Sequence, residues 1–216
     1  GPIYMEYHPG QVIVEPWNSL SSLLILIPAI YWILRFHREK KKSSLILMVV
    51  VLMIAGGLGS TLFHAFRVSL FFLYMDILPT AILTLILSFY FWLRVLKKWY
   101  YAILVFLPLF SSRFLFWNYL PEHTAINVSY FITGVSIGLP LIIYLFQTHF
   151  RGWQSIALTI LFFAIALTFR QFDKVYFDFL PMGTHFLWHA FSALGAWFIL
   201  KYLYSSNRLY KEGTQD

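Results

Sequence analysis

Seven apolar runs, separated by short polar turns, leave this chain few ways to fold. They extend from Asn18 to Phe36, Leu45 to Phe66, Leu70 to Leu93, Tyr100 to Trp117, Ala125 to Gln147, Ser155 to Phe172 and Gly183 to Tyr204. Each is about as long as the 17–25 residues that a helix needs to cross a hydrocarbon layer of about 30 Å. A transmembrane barrel would need runs of about 10 residues that alternate in polarity, and these are apolar all round. Charged residues make up only 12% of the 216 residues, about half the usual share of a soluble domain. The expected fold is therefore an all-α membrane protein, a single domain of seven transmembrane helices. Residues 1–17 form a short lead-in, 18–204 the bundle and 205–216 a polar tail.

The net charge of +7 needs no nucleic-acid partner. Its basic residues gather after runs 1, 3, 5 and 7, at Arg35, Arg38, Lys40, Lys41, Lys42, Arg94, Lys97, Lys98, Arg151, Lys201, Arg208 and Lys211. The opposite side holds only Arg67, Arg113, Arg170 and Lys174. The positive-inside rule then puts the N-terminus outside and the C-terminus in the cytoplasm. No basic region precedes a short apolar one at the start, so no cleaved signal peptide is expected. Gly1-Pro2 reads as a protease scar, with the native start at Ile3, Met5 or further upstream. With no cysteine, disulfides, thiolate ligands and a cysteine nucleophile are excluded. No inverted repeat or ring of like charges suggests a transporter or channel.

The polar residues inside the runs carry the chemistry. His185 and His189 stand four apart and share one helix face, a spacing that lets one metal ion take two imidazoles. On the expected topology Ser60 and His64 lie in the outer third of run 2. Asp76 lies in the first two turns of run 3, and both histidines of run 7 lie in its first two turns. All five reach one depth near the non-cytoplasmic face. Ionisable groups at such depth are costly without a partner. Three imidazoles and an open fourth position match a catalytic zinc site, although imidazole alone also suits copper, iron or nickel. The metalloprotease pattern His-Glu-x-x-His is missing, because Phe186 follows His185. Asp76 is the carboxylate at the right depth for a general base. Ser60, one turn before His64, is placed to bond an oxyanion or to orient the water. Taken singly, each histidine also reads as a packing residue and Ser60 as a back-bonding helix serine. Gly134 and Gly138 are spaced for close helix packing.

At these residues the chain resembles the alkaline ceramidases and, more broadly, the CREST superfamily of seven-helix membrane hydrolases, which includes the adiponectin receptors. The resemblance spans essentially the whole chain. It rests on Trp17-Asn18-Ser-Leu-Ser-Ser22, Gly59-Ser60-x-x-x-His64, Asp76-x-Leu-Pro79 and His185-x-x-x-His189. It implies that His64, His185 and His189 bind zinc and that Ser60 and Asp76 complete the site. It also implies hydrolysis of the N-acyl bond of a ceramide-like membrane lipid to a long-chain base and a fatty acid. A phospholipase or esterase of the same fold, and a receptor-like protein with a structural zinc, are the alternatives. Eukaryotic alkaline ceramidases also bind calcium through an N-terminal acidic cluster that begins Asp-Trp. Only Glu15 matches that cluster here, so the resemblance does not carry the calcium site over. The implied location is a bacterial inner membrane or, in a eukaryote, the endoplasmic reticulum or Golgi membrane.

Overall fold

The computed structural model describes residues 4–38 and 43–212, without the side chains at 113–114, 117–118, 122–123, 126–127 and 207–212. Among the described residues the secondary structure is helical throughout, with no strand. The first crossing is α1 (Pro16–Ser22), a 3₁₀ turn (Leu23–Ile25) and α2 (Leu26–His37). Then come α3 (Ser44–Phe66), α4 (Leu70–Leu96), α5 (Trp99–Tyr119), α6 (Glu122–Gln147), α7 (Trp153–Phe172) and α8 (His185–Glu212). Six of the seven crossings include a stretch long and apolar enough to span a membrane, and α5 carries a shorter apolar stretch, Trp99–Ser112. These crossings match the seven runs to within a few residues. The last does not stop at Tyr204: α8 continues through Ser205-Ser206-Asn207-Arg208-Leu209-Tyr210-Lys211-Glu212. Most of these residues are tolerated in helices, and Arg, Leu, Lys and Glu favour them. Among the basic residues counted above, Lys40, Lys41 and Lys42 lie outside the described residues, as do the side chains of Arg113, Arg208 and Lys211.

The chain divides into two compact units. The first combines residues 1–80 with 152–216 and so holds α1–α3, the start of α4, α7 and α8. Its core includes Ala29, Val49, Val50, Met53, Ile156, Ala166, Leu200 and Leu203. The second, residues 81–151, packs the rest of α4 with α5 and α6 around Leu87, Phe91, Ala102 and Leu141. Ser88 Oγ donates to the Ser136 carbonyl there at 2.7 Å.

The broken first crossing has a local cause. Pro28 has no N–H, and its ring crowds the carbonyl four residues back. Ser21 and Ser22 also turn their hydroxyls onto the Asn18 carbonyl, at 3.1 and 2.8 Å, a contact that bends helices. The 3₁₀ turn falls between these two disturbances, and Gly57 of α3 packs against Ile25 and Leu26 there.

Two further glycines correct the sequence reading. Among the described residues, a Cβ added at Gly134 or Gly138 meets nothing within 4 Å, so neither marks a close helix contact. The close approach is at Gly59. A Cβ there would overlap the backbone carbonyl of Met75 and crowd the Asp76 nitrogen. That contact sets the spacing between α3 and the first turns of α4.

The two glycine classes predict opposite outcomes. Gly134→Ala is expected to leave thermal unfolding in detergent unchanged or to stabilise by up to about 1 kcal/mol. Gly59→Ala is expected to destabilise by about 1–3 kcal/mol, because the obstructing atoms are backbone and cannot rotate away. Equal melting temperatures for Gly59→Ala and the parent would rule out the tight α3–α4 contact.

Candidate metal centre

Three imidazoles meet in the first unit. His64 comes from the last turn of α3, and His185 and His189 from the first two turns of α8. One ring nitrogen from each lies within 4.8 Å of the others. The ring centroids are 5.2 Å apart for His64 and His185, 5.0 Å for His64 and His189, and 4.7 Å for His185 and His189. His64 and His185 are 1% exposed, so they depend on the protein for partners.

Local structure explains how the rings are held. The last turn of α3 ends at Arg67, which adopts the left-handed conformation (φ 51°) and donates its N–H to the Phe63 carbonyl. The next free carbonyls, on His64 and Ala65, accept from the N–H groups of Glu15 and Val14 at 3.1 and 2.8 Å. Helix ends leave such groups open, and here the lead-in fills them. It also brings Glu15 beside His64, where the carboxylate Oε2 lies 2.5 Å from Nδ1. The other oxygen, Oε1, is 3.0 Å from an Arg67 nitrogen, and Asn18 Nδ2 donates to Oε2 at 3.2 Å. The Arg67 guanidinium is boxed in by the rings of Phe63, Tyr4 and Tyr7.

Two remote carboxylates cap the helices that frame the site. Glu6 accepts from the N–H groups of Trp17 and Asn18 at 2.7 and 2.8 Å, at the start of α1. Asp173, after α7, accepts from Thr184 and His185 at 3.0 and 2.8 Å, at the start of α8. Its other oxygen accepts from Met5 N at 3.1 Å. Gly183 permits this approach: its φ is +74°, and a Cβ would strike Met5 and Asp173. The Tyr4 ring then lies stacked on His185 with centroids 3.7 Å apart. Burial pushes the carboxyls of Glu6 and Asp173 above their ordinary range, and the N–H groups they cap pull each back. Burial lifts Glu15 to about 7 against the opposing pull of Arg67 and Asn18.

The remaining site residues stand on the same side. Asp76 on α4 accepts a hydrogen bond from Ser60. Ser60 Oγ is 3.1 Å from Ser22 Oγ. Ser21 and Ser22 place their hydroxyls 2.9 and 3.2 Å from His189 Nδ1. The structure thus brings Ser60, His64, His185 and His189 together, with Asp76 joined through Ser60. Glu15, Asn18, Ser21, Ser22, Arg67 and Asp173 were given no role in the histidine site by the sequence motifs.

The donor set fits a metal. On His64 and His189 the Nδ1 atoms are occupied by protein oxygens, and neutral imidazole then offers its other nitrogen. The His185 Nδ1 is buried and has no hydrogen-bond partner among the described residues. Three imidazole nitrogens, two of them on rings held by outer oxygen partners, match a usual zinc environment.

A ceramidase family model matches residues 5–216. The chain belongs to the ceramidase family. No curated protein matches the sequence. The helical fold and the histidine trio of this chain therefore occur in a family of amide hydrolases.

The Glu15–Arg67 pair yields a stability prediction. Removing one member of a buried ion pair costs about 3–5 kcal/mol, because the other charge is stranded. Glu15→Gln is expected to lower stability on that scale, and Glu15→Gln with Arg67→Met to recover part of the loss. Strict additivity of the two single variants in thermal unfolding would show that the charges are not coupled.

Proposed function

We propose that this chain is a zinc-dependent membrane amidase that hydrolyses the N-acyl bond of ceramide-like lipids to a long-chain base and a fatty acid. The observation that carries this reading is the trio of imidazoles, two of them buried, beside the Ser60–Asp76 pair, in a chain of the ceramidase family. His64, His185 and His189 would hold the metal, which would there acidify water to a pKa of about 7 and polarise a carbonyl. Asp76 takes a proton from the attacking water and returns it to the amide nitrogen. A C–O bond forms, the C–N bond breaks, and the amine leaves neutral. Ser60 donates to the Asp76 carboxylate and orients it toward the water.

A purely structural zinc would be closed by a fourth protein ligand. Among the described residues the close cluster contains the three histidines alone, and Asp76 is engaged by Ser60. That arrangement favours catalysis. The distribution of basic residues supports an external N-terminus and a cytoplasmic C-terminus, with the site near the non-cytoplasmic face of the membrane.

Elemental analysis of purified protein is expected to find about one zinc per chain, lost in the His185→Ala/His189→Ala variant. Asp76→Asn is expected to keep the metal and to lose about 10²–10⁴-fold in fatty-acid release. Matched N-acyl and O-acyl lipids separate amidase from esterase, with faster turnover expected for the amide. A folded, metal-free parent protein purified without chelators would overturn the zinc assignment, and parent-like turnover by Asp76→Asn would overturn the proton route.

A further inference from the structure

The Trp17-Asn-Ser-Leu-Ser-Ser22 motif has no part in the proposed proton route, yet it touches both arms of the site. The hydrogen bonds leave little freedom for its protons. A backbone carbonyl only accepts. Ser21 and Ser22 both point at the Asn18 carbonyl, at 3.1 and 2.8 Å. Each hydroxyl has a single proton, and Ser21, donating its own to that carbonyl, has only lone pairs left for a third partner. Its lone pairs therefore face His189 Nδ1 at 2.9 Å, with those of Ser22 at 3.2 Å. A neutral imidazole meets two such acceptors only with its proton on Nδ1, which leaves the lone pair on Nε2.

The same short helix governs His64. Asn18 Nδ2 donates to Glu15 Oε2, and that oxygen sits against His64 Nδ1. In its ionised form, the one that pairs with Arg67, Glu15 only accepts, and His64 then carries its proton on Nδ1 as well. Asn18 is common to both arrangements, through its carbonyl on one side and its carboxamide on the other.

We propose that Ser21 and Ser22 are positioning residues that lock His189 in the Nδ1-protonated tautomer, so that α1 presents Nε2 to the metal before any metal arrives. The inference rests on the metal-binding reading of the histidines. Outer partners of this kind are typically worth about 10- to 100-fold in metal affinity or activity. Ser19 supplies an internal control. It lies on the same helix, but its hydroxyl donates to the Thr61 carbonyl at 3.0 Å.

Zinc affinity by chelator competition tests the assignment on the full chain in detergent. Ser21→Ala/Ser22→Ala is expected to bind zinc about 10- to 100-fold more weakly than the parent, Ser21→Thr to keep parent affinity, and Ser19→Ala to be silent. If the double variant does not fold, Ser21→Ala alone carries the test, because it removes the shorter of the two contacts. Spectra of the metal-free parent with ¹⁵N-labelled histidine read the tautomer directly, and the Nδ1-protonated form is expected for His189. Parent-like zinc affinity in Ser21→Ala and in the double variant would overturn the inference, as would an Nε2-protonated His189 in the parent. A parent chain that binds no zinc would overturn the metal reading itself, and the tautomer would still be measured on its own.

Discussion

The contact between Glu15 and His64 holds the site to the rest of the first unit. An imidazole buried where water is scarce must find its partner in the protein, since an unpaired polar group there is expensive. Glu15 is that partner, and it can reach His64 only because Val14 and Glu15 fill the open carbonyls at the end of α3. One stretch of lead-in thus closes a helix end, delivers a carboxylate and brings Tyr4 and Tyr7 against Arg67. Removing any one of these leaves the others with unpaired charge or backbone.

The same economy appears at the start of α8. Asp173 caps the helix, holds Met5 and so fixes Tyr4 over His185. Positions that look like loop in the sequence therefore have fixed backbones. Gly183, at φ +74° with no room for a side chain, is one such position. At the starts of α1 and α8 a carboxylate distant in sequence, Glu6 or Asp173, substitutes for the local side-chain cap that most helices use.

The seven crossings were legible from hydropathy and length, because a bilayer imposes one minimum span on every helix. The paired histidines were legible because a spacing of four is a helical repeat. Their outer partners were not. Ser21 and Ser22 look like ordinary back-bonding serines, which they also are, and their bond to His189 spans more than 160 residues. Gly134 and Gly138 show the converse failure. Small-residue spacing shows where a close contact is possible, but not which glycine has a neighbour, and here the neighbour is at Gly59. The 3₁₀ turn after α1 was legible only in part: Pro28 announces a disturbance, while its place depends on the serines before it. The extension of α8 is not legible in hydropathy, because polarity marks the end of the apolar stretch and not the end of the helix.

The separation between Ser21 and His189, like that between Met5 and Asp173, is 168 residues. The site is therefore stitched from segments of the first unit that lie far apart in sequence. Contacts of such long range carry the greatest loop-closure cost and form late. During synthesis Met5, Ser21 and Ser22 have to wait for these partners until Asp173 and α8 have been made. A chain cut before α8 holds only His64 of the three histidines, so the trio cannot assemble without that helix.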